Sequence, residues 1–214
     1  MLLDFDGPIC RVFARHPAPA VAKVLKRCMR AYAPLPPELD ACIDPHALLS
    51  AVASNPAAYA PGLDKELHDL LTQEEVIAVA SAVITEGLEA AVKSWREQGI
   101  RLGVVTNNAE ECARAFLRHA DLLDAFDGPI VGRPADARLM KPSGHMLRLA
   151  LAELAMRPER CLFVGDSWRD AQAARSVGMR FVGYARNEQK WDELAAAGAT
   201  TLISHMAAME GMVW

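Results

Sequence analysis

Cys161-Leu162-Phe163-Val164-Gly165-Asp166-Ser167-Trp168-Arg169-Asp170 is an apolar run that ends in acid. A short apolar run bounded this way reads as a buried strand, and the carboxylate one step beyond it stands at the strand tip. The chain opens on the same pattern, Leu2-Leu3-Asp4-Phe5-Asp6-Gly7. In an open α/β sheet, ligands bind in the crevice outside the carboxyl ends of the strands. Two such tips side by side gather Asp4, Asp6, Asp166 and Asp170. One small cleft tolerates that much negative charge only around a metal ion. Mg²⁺ takes hard oxygen ligands, carboxylate and phosphate alike. The pattern therefore predicts a Mg²⁺ site that handles a phosphorylated molecule.

Outward from these tips, strand-like runs recur at residues 1–5, 100–106, 161–165, 179–183 and, more weakly, 200–203. Helical runs separate them. Leu88, Ala91, Val92 and Trp95 form an i, i+3, i+4, i+7 stripe within 88–98, and Gly99 follows as a C-cap. Residues 110–119 and 144–156 read the same way, the second stopped by Arg157-Pro158. The alternation predicts an α/β fold, a Rossmann-like three-layer core around a mostly parallel sheet. Residues 17–87 are different: they offer no convincing strand, only helices at 18–32, 45–53, 63–70 and 72–84 between prolines. Such a length is too great for a simple crossover. The expected division is a core of 1–16 and 88–214 with an inserted all-helical cap at 17–87, lying over the strand tips as a lid.

The 214 residues, 52% hydrophobic and 23% charged, describe an ordinary globule. A net charge of -4 argues against a nucleic-acid partner. The six Lys and Arg between Arg11 and Arg30 read as a solvated helix face. Five cysteines, odd in number and without metal-ligand spacing, suggest a reduced, cytoplasmic protein, with Cys161 as a small buried hydrophobe. Asp4 and Asp6 interrupt the first apolar stretch, so no signal peptide is expected, and no run has the length of a membrane span. The histidines show no ligand spacing, although His46 and His68 fall in the cap and could meet substrate.

Several residues have the chemistry such a site needs. Asp4 and Asp6 point the same way along a strand, and Gly7 lets the backbone turn tightly around a ligand. One carboxylate of such a pair can ligate metal and attack phosphorus while the other protonates the leaving oxygen. An Asp-x-Asp at a strand end is otherwise a turn. Thr106, after Val104-Val105, has a hydroxyl that donates and accepts, and the Asn107 main chain can hold phosphate oxygens; either residue could instead merely cap the next helix. Lys141, before Pro142, can set an ammonium over a phosphoryl group and offset Asp4. Asp166 stands at a tip, and Asp170 follows one helical turn later on the same side. Ser167 reads as a cap, and Arg169 as a partner for a carboxylate.

Together these elements resemble the haloacid dehalogenase superfamily. Its motifs match Leu3-Asp4-Phe5-Asp6-Gly7, Val105-Thr106-Asn107, Lys141-Pro142 and Gly165 to Asp170, in order and over essentially the whole chain. The helical insertion resembles the superfamily's type 1 cap, in a phosphoglycolate-phosphatase-like subclass. The resemblance implies Asp4 as nucleophile, forming an aspartyl-phosphate, and Asp6 as general acid and base, its main-chain carbonyl a Mg²⁺ ligand. It implies Gly7, Thr106, Asn107 and Lys141 around the phosphoryl group, and Asp4, Asp166 and Asp170 on the metal. Pro8 departs from the family's usual Thr or Val.

Asp6 bears on the subclass, because dehalogenases of this superfamily lack an acid there. The expectation is phosphomonoester hydrolysis of a small phosphorylated metabolite by a monomer or homodimer. A phosphomutase of the same architecture and a non-catalytic phospho-ligand binder are the alternatives. Arg11, Arg15, His16, Lys23 and Arg27 are the polar residues expected near the roof of the cleft.

Overall fold

Residues 1–209 are described by the computed structural model. The strands are β1 (Leu2–Leu3), β2 (Cys10–Arg11), β3 (Val83–Ile84), β4 (Gly103–Val105), β5 (Ile130–Val131), β6 (Leu162–Gly165), β7 (Arg180–Tyr184) and β8 (Leu202–Ile203). The helices are α1 (Ala18–Arg30), α2 (Pro37–Ala41), α3 (Pro45–Ser54), α4 (Leu63–Val79), α5 (Leu88–Glu97), α6 (Glu110–His119), α7 (His145–Leu154), α8 (Trp168–Val177) and α9 (Glu188–Ala196).

Six strands form one sheet in the order β5-β4-β1-β6-β7-β8. Every pairing in it is parallel. The chain starts in the middle, extends to β4 on one side and to β6 on the other, so the tips of β1, β4 and β6 are neighbours. That is the switch point where such sheets bind ligands.

Alternation along the central strands builds the layers. Leu3, Val104 and Val164 pack on one face with Leu88, Trp95 and Phe116 of α5 and α6. Leu2, Val105 and Phe163 pack on the other with Met146, Leu147 and Ala174 of α7 and α8. The stripe Leu88, Ala91, Val92, Trp95 is buried, as its spacing predicts. The cap has its own apolar cluster of Val21, Leu25, Leu48, Leu67 and Leu71, closed below by Ala137 and Met140. The chain is thus a mixed α/β core with a parallel sheet and an inserted helical cap.

The structure corrects the reading of residues 17–87 as strandless. Val83–Ile84 pairs antiparallel with Cys10–Arg11, forming a second, two-stranded sheet where the chain leaves the core and returns to it. Strands this short have no measurable period. Residues 63–70 and 72–84 are not two helices, because α4 runs unbroken from Leu63 to Val79. Thr72 Oγ1 donates 2.9 Å to the His68 carbonyl within that helix, and buried Leu71 continues its apolar face. Two further elements, α2 and β5, were absent from the sequence reading.

Candidate active site

Asp4 follows β1 directly, and its N–H extends the ladder to the Val164 carbonyl at 2.8 Å. Its Oδ1 accepts from the Phe5 N–H at 2.7 Å and lies 2.8 Å from Lys141 Nζ. Asp166 directly follows β6. Asp170 begins α8 in a capping box: Ser167 Oγ and N donate to its Oδ2 at 2.6 and 3.0 Å. Its Oδ1 has no well-angled hydrogen bond, only the Lys141 ammonium 2.6 Å away. Carboxylate oxygens of Asp4, Asp166 and Asp170 all lie within 4.8 Å of one another.

Lys141 is 4% exposed, and its Nζ faces Asp4, Asp170 and the Val105 carbonyl, which lies 3.0 Å away. An ammonium has three hydrogens; one goes to the Val105 carbonyl, and the two carboxylates are ion-pair partners. Burial works against that charge, but Asp170 and Asp4 outweigh it and hold Lys141 above its ordinary pKa. Burial and then the Asp170 charge push Asp4 upward in spite of Lys141. Burial likewise takes Asp166 to about 7, against the pull of Lys190 at 3.4 Å. Lys141 and the more distant Lys190 do not balance three buried, clustered carboxylates, and the raised values of Asp4 and Asp166 express the remainder. The orphaned Asp170 oxygen and this all-oxygen, over-charged donor set fit Mg²⁺.

Asp6 stands apart from the cluster. Its Oδ1 accepts from the Val12 N–H at 3.0 Å, and burial raises its carboxyl to about 6. Gly7 allows the approach of the two tips. Its φ is +117°, and a Cβ there would stand 2.6 Å from Asp166 Cγ. The Gly7 carbonyl in turn accepts from Thr85 Oγ1 at 2.6 Å.

Thr106 is 1% exposed beyond β4. Neither it nor Asn107 caps the next helix: the N-cap of α6 is Ala109, which has no side-chain cap. Thr106 Oγ1 donates to Asn108 Oδ1 and accepts from the Asn108 N–H, both at 3.2 Å. The Asn107 amide grips the Lys141 main chain, donating to its carbonyl at 3.1 Å and accepting from its N–H at 2.9 Å.

The cap forms the roof. A cavity of about 380 Å³ lies between α3 and the core, lined by His46, Ser50, Asn107, Lys141, Trp168 and Arg169. Asp44, the N-cap of α3, meets Arg169 Nη2 at 3.2 Å across it. A larger depression of about 520 Å³, between α7 and α8, shares none of these residues and has no acid in its lining. Of the basic residues expected at the roof, Arg11 lines a separate cavity with Gly7 and Arg186. His16 pairs with Glu74 at 2.7 Å, while Arg15, Lys23 and Arg27 are exposed. His68 lines neither cavity. The sequence reading missed Glu75 and Arg133, fully buried partners at 2.8 Å whose ordinary polar types carry no local signal.

A parallel sheet with an acidic cluster at its switch point, roofed by inserted helices, defines a hydrolase of the phosphatase-like kind. The model of the haloacid dehalogenase-like hydrolases matches residues 1–178, and the chain belongs to that family. It is 29% identical over 204 residues to a phosphoglycolate phosphatase of Rhodobacter capsulatus, covering 89% of this chain and 85% of that one. With a phosphoglycolate phosphatase of Nitrosospira multiformis it shares 38% identity over 104 residues, 48% of this chain and 45% of the other. CbbY from Rhodobacter sphaeroides, crystallised as a mutant in complex with xylulose-(1,5)bisphosphate, has the same fold. Its TM-score is 0.70 at 23% identity, over 99% of this chain and 96% of that one.

Proposed function

We propose that the protein is a Mg²⁺-dependent phosphomonoester hydrolase acting on a small phosphorylated metabolite, with core and cap divided at 1–16, 17–87 and 88–214. In this reading an Asp4 oxygen attacks phosphorus, and Asp6 protonates the departing alkoxide. Water then attacks the aspartyl-phosphate while Asp6 takes its proton, which frees inorganic phosphate and restores Asp4. A carboxyl raised to about 6 can hold that proton near neutrality and take it back. Thr106, Lys141 and the main chain at Gly7 and Asn107 hold the phosphoryl oxygens. Mg²⁺, held by Asp4, Asp166, Asp170 and the Asp6 carbonyl, supplies charge neutralisation at those oxygens when bound.

The observation that carries this reading is the division of labour between two acids two residues apart. Asp4 lies in the carboxylate cluster against Lys141, whereas Asp6 is outside it, accepting from the Val12 N–H. The relatives named phosphoglycolate phosphatase, and a cavity of about 380 Å³, support a small substrate. Asp4→Asn keeps the side-chain volume and removes the attacking oxygen. It is expected to abolish phosphate release from an aryl phosphate in the presence of Mg²⁺ without unfolding the chain. Equal rates in the two proteins would sink the assignment.

A further inference from the structure

Glu75 belongs to the cap, on α4, and is fully buried outside the acid cluster. Its Oε1 accepts from Arg133 Nη1 at 2.8 Å and Asn108 Nδ2 at 3.0 Å, and lies 3.1 Å from His46 Nε2. Its Oε2 accepts from the Ala109 N–H at 2.8 Å, in place of the missing side-chain cap of α6. An ionised carboxylate only accepts, so each of these partners must turn a donor toward it. A carboxylate held by so many donors serves first as cement between cap and core. The further bonds of those donors point beyond that role.

One arm runs through Asn108. Because its Nδ2 faces Glu75, its Oδ1 is turned to Thr106 Oγ1, 3.2 Å away. The Asn108 N–H donates to the same Oγ1, which leaves the hydroxyl hydrogen to choose between Asn108 and a phosphoryl oxygen. A second arm runs through Arg133, whose Nη1 also donates to the Asn107 carbonyl at 3.2 Å. Asn107 is the residue that grips the Lys141 main chain. Arg133 Nη2 ties this arm back to α4 at Thr72 Oγ1, 2.8 Å. The third arm is His46, on α3, which lines the cavity beside Lys141 and Arg169.

We propose that Glu75 is a positioning residue that couples the seated cap to the phosphate-holding turn: it orients Thr106 through Asn108, Lys141 through Arg133 and Asn107, and His46 toward the cavity. The coupling runs both ways. A ligand that settles Thr106 or His46 also settles the cap.

The kinetic arm of the test rests on the hydrolase reading above; the exchange arm does not. Glu75→Gln keeps the shape but offers a donor where the network needs acceptors. Because it also strands the Arg133 charge, the double variant Glu75→Gln with Arg133→Gln removes both charges and protects the fold. In full-length protein, below the unfolding temperature, p-nitrophenyl phosphate turnover, inhibition by inorganic phosphate and Mg²⁺ activation are measured. Both variants are expected to lose about tenfold in kcat and to weaken phosphate inhibition about tenfold, the order of one hydrogen bond. Their Mg²⁺ activation constant is expected to stay within about twofold, since the metal's carboxylates are elsewhere. Amide exchange over residues 106–113 is expected to accelerate. Folded variants that keep kcat and phosphate inhibition would reduce Glu75 to cement and overturn the proposal. So would a loss confined to Mg²⁺ activation. If the unaltered protein released no phosphate, the hydrolase reading would fall, and unchanged exchange over 106–113 would separately refute the coupling.

Discussion

Asp4 and Asp6 differ by two positions and by their surroundings, and the difference assigns their proposed roles. Asp6→Asn removes the leaving-group acid, so it is expected to slow alkyl phosphates far more than activated aryl phosphates, whose leaving group needs little protonation. A uniform loss over a series of leaving groups would contradict that role. Gly7 carries the second argument at this scale. With φ at +117° and Asp166 Cγ at 2.6 Å from any Cβ, Gly7→Ala must displace the Asp166 carboxylate. The expected cost is about 1–3 kcal/mol in urea unfolding, together with weaker Mg²⁺ binding by calorimetry. Undiminished Mg²⁺ affinity would refute it. These residues were legible because the proposed chemistry restricts the residue types that can stand at a strand tip. Glu75 and Arg133 were not: they lie 58 positions apart, and a Glu on a helix looks like solvated surface until the fold is known.

Among elements, β6 was read from sequence because its apolar run ends in acid, and α5 because an amphipathic helix has a strong period. The sheet edge β5 and the pair β2 and β3 are two residues long, as β1 is, but no carboxylate directly follows them to mark a strand tip. The expected break inside α4 is not there, and the Thr72 hydroxyl is satisfied by its own helix. The continuous α4 is the spine of the cap, and Leu67 is at its centre with no exposed surface. Leu67→Ala leaves a cavity and is expected to cost about 2–5 kcal/mol. Limited proteolysis should then cut within residues 17–87 before the sheet. Simultaneous digestion of cap and core would show that the cap has no separate stability.

For the whole molecule, the buried acids are expected to make stability depend on pH and on bound Mg²⁺. Asp166 rises from 3.8 to about 7 and Asp6 from 3.8 to about 6 in the folded chain. A raised value means that the folded state binds more protons between the two limits. The contribution of these groups is therefore full below pH 3.8, and is lost as pH rises through about 6 and 7. Glu75 works in the opposite sense: burial raises it, but His46 and Arg133 outweigh that and hold it below 4.5. Its contribution is full above pH 4.5 and fades as pH falls through the folded value. Metal-free protein is thus expected to become less stable to urea from pH 5 to 8, and saturating Mg²⁺ to flatten that slope by binding only the folded site. A slope indifferent to Mg²⁺ would separate the acid cluster from the metal.

The pairing of Cys10 with Ile84 and Arg11 with Val83 has a consequence for how such a chain can change over generations. The cap leaves through one lane of that ladder and comes back through the other, so its two ends are as close as those of a hairpin. Whatever is spliced between them, long or short, places no strain on the register of the sheet. The clustered carboxylates of Asp4, Asp166 and Asp170 belong to the part that stays. A lineage that trades one roof for another therefore keeps the acids but has to find a new anchor for Asn108, Ala109 and Arg133, which Glu75 holds from α4.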